Sequence, residues 1–312
     1  MDLSKFQVNE PFEVGAMNGL AKTYHVFDQQ QLDAIRTAWF AKRPLLIKGE
    51  PGLGKSQIAQ AIADRAGWNL IVHVVHSRSE PEDLLYHVDH VSRLAQAQLV
   101  SNHVSDKNSL NKQHFVVPGP LWWAYSPETA QAFFDSEEND YKTSIEINLA
   151  KPSVVLIDEI DKAGSELPNS LLEVLNNKSF HAHGHDKAIC SDPDKIPFVI
   201  ITSNAHRPLP HAFLRRCVVL ELSLKKGNEG KKQLQEIAKA HHPELGNLSP
   251  ELIDDVIDVV LDFRSQRSDQ QYKPGTSEFL DLLKVLNDDD QYNNETDRKD
   301  AIKIISRHVL NK

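Results

Sequence analysis

The chain has few cysteines and no long apolar segment, the features that stabilise small secreted proteins and anchor membrane proteins. Its 312 residues include two cysteines, Cys190 and Cys217, too few for a disulfide framework. No apolar run approaches the ~20 residues of a transmembrane helix. Residues 1–25 lack the charged-then-apolar order of a secretory signal peptide. We therefore expect a protein of the reducing cytosol with no membrane segment.

Positive charge is also scarce. The chain has 35 Lys and Arg against 44 Asp and Glu, a formal net charge of −9. Unaided nucleic-acid binding needs a concentrated positive surface, so the composition argues against a nucleic-acid partner. The hydrophobic content of 40% and charged content of 25% are ordinary for a globular protein. The length suits about two domains.

One segment points directly to chemistry. Residues 49–56 read Gly-Glu-Pro-Gly-Leu-Gly-Lys-Ser and fit the phosphate-binding pattern G-x-x-x-x-G-K-[ST]. The lysine can reach the β- and γ-phosphates of ATP, and the serine hydroxyl can ligate Mg²⁺. The expected ATP-binding residues are Gly49, Glu50, Pro51, Gly52, Leu53, Gly54, Lys55, Ser56 and Gln57.

The surrounding sequence supplies the context that this pattern requires. Residues 44–47 form a short apolar run before it, and a helical apolar face follows. A further helix is expected over 28–41. More apolar runs occupy 69–76, 150–157, 196–202 and 217–222. Short, nearly continuous apolar strands that alternate with helices predict an α/β fold with a parallel sheet covered on both faces.

Polar residues follow two of these strands. Asp158 and Glu159 come after a buried run, and Asn204 follows the next. Ligands of parallel sheets bind at the carboxyl ends of strands, so Asp158 is expected to help hold Mg²⁺ and Glu159 to polarise the attacking water. Asn204 could bond that water or the γ-phosphate. The plainer alternatives are a capping turn for the two acids and a turn-initiating asparagine.

The character of the chain changes near residue 225. The sequence predicts a nucleotide-binding domain over 1–224 and an all-helical domain over 225–312. Thr276 or Ser277 is expected to cap one of its helices. Residues 1–25 show little periodicity and are expected to be a loose extension or a cover.

Four segments together carry a family resemblance: 49–56, 154–163, 201–204 and 210–217. They resemble the AAA+ ATPases, specifically the MoxR-like and dynein-related branch, over about residues 28–286. The resemblance implies a P-loop NTPase core with a helical lid. It also implies Mg²⁺-dependent ATP hydrolysis in a ring, expected to be a hexamer, that remodels or matures a partner protein, often one with a von Willebrand A domain.

The resemblance also assigns residue roles. Asn204 matches the polar sensor beside the γ-phosphate, and Arg215 or Arg216 matches the finger that reaches the neighbouring subunit's nucleotide. The alternative is that one of these arginines makes a structural salt bridge. Glu278 stands near the position where many members have a lid arginine. Lys273 or Arg267 could substitute for it.

Two segments exceed what the core needs, the insert at 77–120 and the hairpin at 180–190. The resemblance places both at the ring's central opening. Within the insert's continuation, Trp122 and Trp123 are expected to be a buried pair, with exposed substrate contact as the rival. The hairpin also contains residues of the types that bind zinc: His181, His183, His185 and Cys190. We expect a plain hairpin here rather than a zinc site.

Two other functions stay open at this point. One is a nucleotide-controlled switch or scaffold that hydrolyses slowly, which the missing lid arginine would suit. The other, which the acidic composition disfavours, is a nucleic-acid motor or loader.

Overall fold

The computed structural model describes residues 1–101, 115–135, 146–183, 185–246, 248–267, 272–288 and 295–310. The strands are β1 Phe12–Val14, β2 Thr23–His25, β3 Leu45–Gly49, β4 Asn69–Val74, β5 Tyr86–Val88, β6 Val116–Pro118, β7 Ser153–Asp158, β8 Ser179–Phe180, β9 Ile189–Cys190, β10 Phe198–Ser203 and β11 Val218–Leu222. The helices are α1 Gln29–Ala41, α2 Lys55–Ala66, α3 His90–Ser101, α4 Pro120–Tyr125, α5 Pro127–Phe134, α6 Glu166–Asn177, α7 His211–Leu214, α8 Gly227–Ala240, α9 His242–Leu245, α10 Pro250–Ser265, α11 Thr276–Asp288 and α12 Glu295–Val309.

A five-stranded parallel sheet in the order β11-β3-β10-β7-β4 forms the centre of the fold. Its three middle strands are almost entirely buried. The predicted α/β fold with a helical C-terminal region is therefore confirmed. The strands begin and end within a few residues of the predicted positions. None of the described helices has the length and apolar character needed to cross a bilayer.

Two apolar cores lie on the two faces of the sheet. One joins α1 and α2 to the sheet through Ile35, Ile58 and Ile62. The other joins α4 and α6 to it through Trp122 and Leu171. The near-continuous apolar strands are thus explained, because both of their faces are covered.

Residues 1–25 cover the first of these cores rather than extending loosely. Strands β1 and β2 form an antiparallel pair, and Phe6 and Val14 are buried. The buried Gln60 amide of α2 donates to the carbonyl oxygens of Gly15 at 2.8 Å and Ala21 at 2.9 Å. The segment lacks the periodicity of a long strand because part of its backbone is hydrogen-bonded to side-chain amides instead of to a neighbouring strand.

The C-terminal helices have a core of their own. Helices α8 to α12 bury Leu234, Val256, Phe279 and Leu283 together. Strand β11 ends at Leu222 and α8 begins at Gly227, so the change from sheet to helix falls beside the predicted boundary. The domain division at 224 and 225 itself stays a prediction.

The tryptophan pair lies inside the protein. Trp122 and Trp123 are each 1% exposed, as the buried-pair interpretation expected. The indole N–H of Trp122 donates to Thr129 Oγ1 at 2.9 Å. The indole nitrogen of Trp123 is buried and has no hydrogen-bond partner among the described residues.

We predict that Trp122→Phe destabilises the protein more than Trp123→Phe. Both changes remove a similar apolar area, but only the first breaks a hydrogen bond, while the second relieves an unpaired buried donor. The difference in the free energy of unfolding should be about 1–3 kcal/mol, measured by urea denaturation. Equal losses would show that the two indole groups have equivalent surroundings.

Candidate active site

The phosphate loop, residues 49–56, joins β3 to α2. Gly52 and Gly54 have φ angles of +75° and +76°, which glycine adopts without strain. The Lys55 ammonium folds back and donates to the carbonyl oxygens of Gly49 and Glu50, both at 2.8 Å. Burial lowers the pKa of Lys55, and the charge of Asp158 acts in the opposite direction. The loop therefore carries a desolvated cation at the start of a helix, which suits a phosphate group.

A hydrogen-bond cluster joins this loop to the ends of β7 and β10. The Ser56 hydroxyl lies 2.9 Å from both carboxylate oxygens of Asp158. The Thr202 hydroxyl donates to Asp158 Oδ1 and accepts from the backbone N–H of Glu159 at 2.9 Å. The structure thus brings the two expected metal ligands, Ser56 and Asp158, into direct contact.

Glu159 and Asn204 also meet at this edge. The Asn204 side-chain amide donates to Glu159 Oε1 at 2.8 Å, and Lys162 forms an ion pair with Glu159 Oε2. Glu159 has φ = +60°, a conformation that costs a non-glycine residue about 1–2 kcal/mol. Such strain is often found where a side chain must be held in a functional position.

Asp161 fixes the loop that carries Asn204. Its side chain is 2% exposed and accepts from the backbone N–H groups of Asn204 at 3.1 Å and His206 at 2.9 Å. A buried carboxylate needs such donors, since an unpaired one is costly. Asp161 therefore acts on the site through Asn204.

Arg215 and Arg216 lie at the opposite edge of the sheet. They precede β11, and Val218 at its start pairs with Leu45 at the start of β3. At about 3.3 Å per strand residue, the four steps from Leu45 to Gly49 place this edge about 13 Å from the phosphate loop. Both arginines are exposed, and neither forms an ion pair with any described residue. The structural salt bridge is thus not seen in the described part of the chain.

A cleft beside the phosphate loop draws on distant parts of the chain. Its volume is about 100 Å³. Its walls include Tyr24, His25, Val26, Gln31, Leu53, Gln57, Ile237, His241, Thr276 and Leu280. The Gln57 side chain donates to Thr23 Oγ1 at 2.8 Å and to the Tyr24 carbonyl at 2.9 Å. A predicted ATP-binding residue therefore anchors the N-terminal segment along this cleft.

The first turn of α11 contacts the phosphate loop. Thr276 Oγ1 and the Ser277 backbone N–H donate to the Gly52 carbonyl at 2.6 and 3.0 Å. The predicted capping role of Thr276 or Ser277 is wrong, because α11 already begins at Thr276 and their hydroxyls face Gly52. The buried Glu278 side chain instead accepts from the Gly275 N–H at 2.8 Å.

A cation from the helical region does reach the loop, but it is Arg264. Its Nη2 lies 2.7 Å from Glu50 Oε2. Arg267 and Lys273 were the residues expected to replace the lid arginine. Arg267 donates to the Tyr272 carbonyl at 2.7 Å, and Lys273 lines a surface cavity beside Arg264. Within the described residues, no three His, Cys, Asp or Glu side chains form a group that could hold a metal ion, the hairpin histidines included.

Sequence reasoning missed three contributors to the site: Thr202, Asp161 and Arg264. A threonine inside an apolar strand was a usable signal for Thr202. Asp161, three residues after Asp158, lies within the segment 154–163 that carries part of the family resemblance. Arg264 left no local signal, because its partner Glu50 is 214 positions away.

The comparison with protein families agrees with this geometry. The model of the AAA domain, dynein-related subfamily, matches residues 44–217, more than half of the chain. The chain belongs to this family of AAA+ ATPases. It is therefore a nucleotide-binding protein with ATPase activity. AAA+ proteins generally oligomerise.

Solved structures with a similar fold have low sequence identity. One is a candidate ATPase from Cytophaga hutchinsonii, 14% identical over 91% of this chain and 85% of the other, with a TM-score of 0.36. Another is NtrX from Brucella abortus, solved with ADP, 14% identical over 83% of this chain and 51% of the other, with a TM-score of 0.44. A search among curated proteins finds no match.

We predict that His25 makes the protein sensitive to acid. Burial lowers its pKa from 6.5 to about 4, so between these pH values the unfolded chain binds a proton that the folded chain does not. Stability is therefore lost as pH falls through this window. The loss should be about 3 kcal/mol, at about 1.4 kcal/mol per pKa unit.

The variant His25→Phe tests this prediction, because Phe keeps the ring contact with Phe27 and cannot titrate. Its free energy of unfolding, from urea denaturation without nucleotide, should fall less on acidification than that of the parent. Parallel pH profiles for the two proteins would rule out His25 as the titrating group.

Proposed function

We propose that the chain is a cytosolic, Mg²⁺-dependent ATPase whose site is the carboxyl edge of the sheet. One observation carries the proposal: the phosphate loop, Asp158 and the Glu159–Asn204 pair meet at this edge. Together these groups would bind the phosphates, hold the metal and activate the attacking water. The adjoining cleft would take the nucleoside.

Ser56 and Asp158 suit the metal in their chemistry. A hydroxyl and a carboxylate are the hard oxygen donors that Mg²⁺ prefers, and Mg²⁺ usually binds few protein groups together with phosphate oxygens. When bound, the ion would neutralise charge that develops on the phosphates. Thr202 would keep the Asp158 carboxylate oriented.

Glu159 is the proposed group that polarises water. In this structure both of its carboxylate oxygens are engaged, one by Asn204 and the other by Lys162. Polarising a water requires one oxygen to exchange its partner. This observation also favours the second candidate, a slow switch that turns over fully only with a partner bound. Turnover with and without that partner distinguishes the two.

Position supports a finger that acts between subunits. Arg215 and Arg216 lie at the edge opposite their own phosphate loop, so either would serve a neighbouring copy. A head-to-tail contact of this kind forms a ring when the rotation between copies closes, and we propose a ring of six subunits. The lid would be residues 225–312, moving with the phosphate loop through the contact at Gly52.

The partner is proposed to be a protein that the ring remodels or matures, and one with a von Willebrand A domain fits the family resemblance. Helix α3 in the insert exposes an apolar stripe at helical spacing: Val91 is 80%, Leu94 64% and Leu99 43% exposed. Exposed apolar surface of this kind is typical of a contact site.

We predict that Lys55→Ala and Glu159→Gln separate binding from hydrolysis. The first removes the cation aimed at the phosphates and should weaken ATP binding about 10- to 100-fold. The second should keep binding and lower turnover by about 10²–10⁴. Titration with a fluorescent ATP analogue and phosphate release measure the two effects. The control is Lys239→Ala, an exposed lysine. Normal turnover in Glu159→Gln would remove Glu159 from this role.

We predict that activity per subunit rises with protein concentration. Arg215→Ala or Arg216→Ala should keep ATP binding and lose hydrolysis, since a finger contributes ~10³–10⁵ in rate. Mixing the inactive arginine variant with Lys55→Ala should restore some turnover, because each supplies what the other lacks. Concentration-independent turnover by a demonstrated monomer would contradict the arrangement.

We predict that shortening the hairpin between β8 and β9 removes partner capture alone. These strands pair antiparallel and lie outside the central sheet, so basal turnover and assembly should persist. Phosphate release, light scattering and pull-down with a Glu159→Gln trap measure the three properties. Loss of assembly would show that the hairpin contacts neighbouring subunits instead.

A further inference from the structure

A second cavity opens at the amino edge of the sheet, far from the nucleotide site. Its volume is about 190 Å³. It lies between the end of α1, the end of α6 and the start of β10, where Phe198 and Val199 begin the strand. Strand β3 separates it from the phosphate loop, because Pro44 lines the cavity and Gly49 begins the loop. No role in ATP hydrolysis accounts for it.

The walls of this cavity are largely apolar and aromatic. Trp39 packs edge-on against Phe198 with ring centroids 6.0 Å apart. Tyr125 at the base is 2% exposed, and its hydroxyl donates to the Val174 carbonyl. Phe40 stands at the rim and is 74% exposed. Small-molecule sites are usually preformed and lined mainly by hydrophobic and aromatic side chains with a few polar groups.

Three cations surround the opening: Lys42, Arg43 and Lys178. Across the part of the chain that the structure describes, none of them forms an ion pair. The Arg43 side chain donates to the Arg215 carbonyl oxygen at 3.4 Å. Burial and then the charge of Lys42 lower the pKa of Lys178. Lys42 and Arg43 are exposed and Lys178 is half-buried, so an anion at the opening would meet three cations with no competing carboxylate among their described ion pairs.

The backbone at the two lysines also indicates a role for their side chains. Lys42 closes α1 with φ = +55°, and Lys178 closes α6 with φ = +52°. Glycine fits this conformation best and closes α2 at Gly67. A lysine gains from the helix carbonyls that it faces, but this gain does not exceed the cost of the left-handed conformation. Both helices thus keep a lysine where glycine would be less strained.

We propose that this cavity binds a small apolar carboxylate, with the ring or chain against Trp39 and Phe198 and the carboxylate at Lys42 and Lys178. The size supports a free small molecule, since a dry cavity of about 150 Å³ already holds benzene, and this one is somewhat larger. An acidic head on an aromatic or medium-length aliphatic body matches both the walls and the cations.

Calorimetric titration of the full chain without nucleotide tests the proposal. The probe is naphthalene-2-carboxylate, and its uncharged match is naphthalene-2-carboxamide. We expect saturable binding of the carboxylate at one site per chain, and binding of the amide at least about tenfold weaker, since charge-assisted hydrogen bonds are the stronger kind. Binding should persist in Lys55→Ala, which separates this site from the nucleotide cleft and the result from the proposed ATPase function.

Two variants locate the site. The double variant Lys42→Met and Lys178→Met should weaken the carboxylate about tenfold or more, and its matched control is Lys232→Met with Lys239→Met, two exposed lysines of α8. Leu175→Trp fills the half-buried wall and should abolish binding while thermal unfolding stays unchanged. Equal affinity for acid and amide, unchanged binding in the Lys42 and Lys178 variant, or no saturable binding would each overturn the proposal.

Discussion

The carboxylate of Asp158 is the point on which the site depends. It lies within hydrogen-bond distance of Ser56 on α2 and Thr202 on β10 while belonging to β7, so one side chain joins three elements. Removing it would leave two hydroxyls without their acceptor and loosen the start of α2. The same contacts that keep this half-buried acid satisfied also hold it where a metal ligand is needed. Folding and chemistry therefore place the same demand on this residue.

The walls of the nucleotide cleft depend on a second constraint, the satisfaction of backbone groups away from regular structure. The amides of Gln57 and Gln60 hold the N-terminal segment against α2. From the other side, α11 donates to the Gly52 carbonyl, and Arg264 pairs with Glu50. Three regions distant in sequence thus meet at one loop. The helical region therefore contacts the phosphate loop directly, at Gly52 and at Glu50.

The sequence predicts the parts of the site that are local. The phosphate loop, Asp158, Glu159 and Asn204 each follow an apolar strand, and parallel strands carry their ends to one edge. The five strands themselves can be recognised in the sequence, because strands that are buried on both faces consist almost entirely of apolar residues. The contact of Arg264 with Glu50 was not predictable, since it depends on how two separate cores pack. The prediction that Thr276 or Ser277 caps α11 was wrong for a related reason. Their hydroxyls donate to the Gly52 carbonyl, a tertiary contact that no local pattern encodes.

The distribution of charge between the two edges of the sheet suits head-to-tail assembly. The carboxyl edge carries Asp158 and Glu159, each close to a lysine, Lys55 or Lys162. The amino edge carries Arg215 and Arg216, both exposed. A parallel sheet keeps these edges apart within one chain, so they can meet only between copies. In the proposed ring, these arginines would face the carboxyl edge of the next copy, where an exposed cation complements carboxylates. A contact between unlike surfaces is heterologous, and it forms a ring where the rotation between copies closes and an open filament where it does not. The parallel direction of the strands is thus the physical basis of the proposal that a finger acts between subunits.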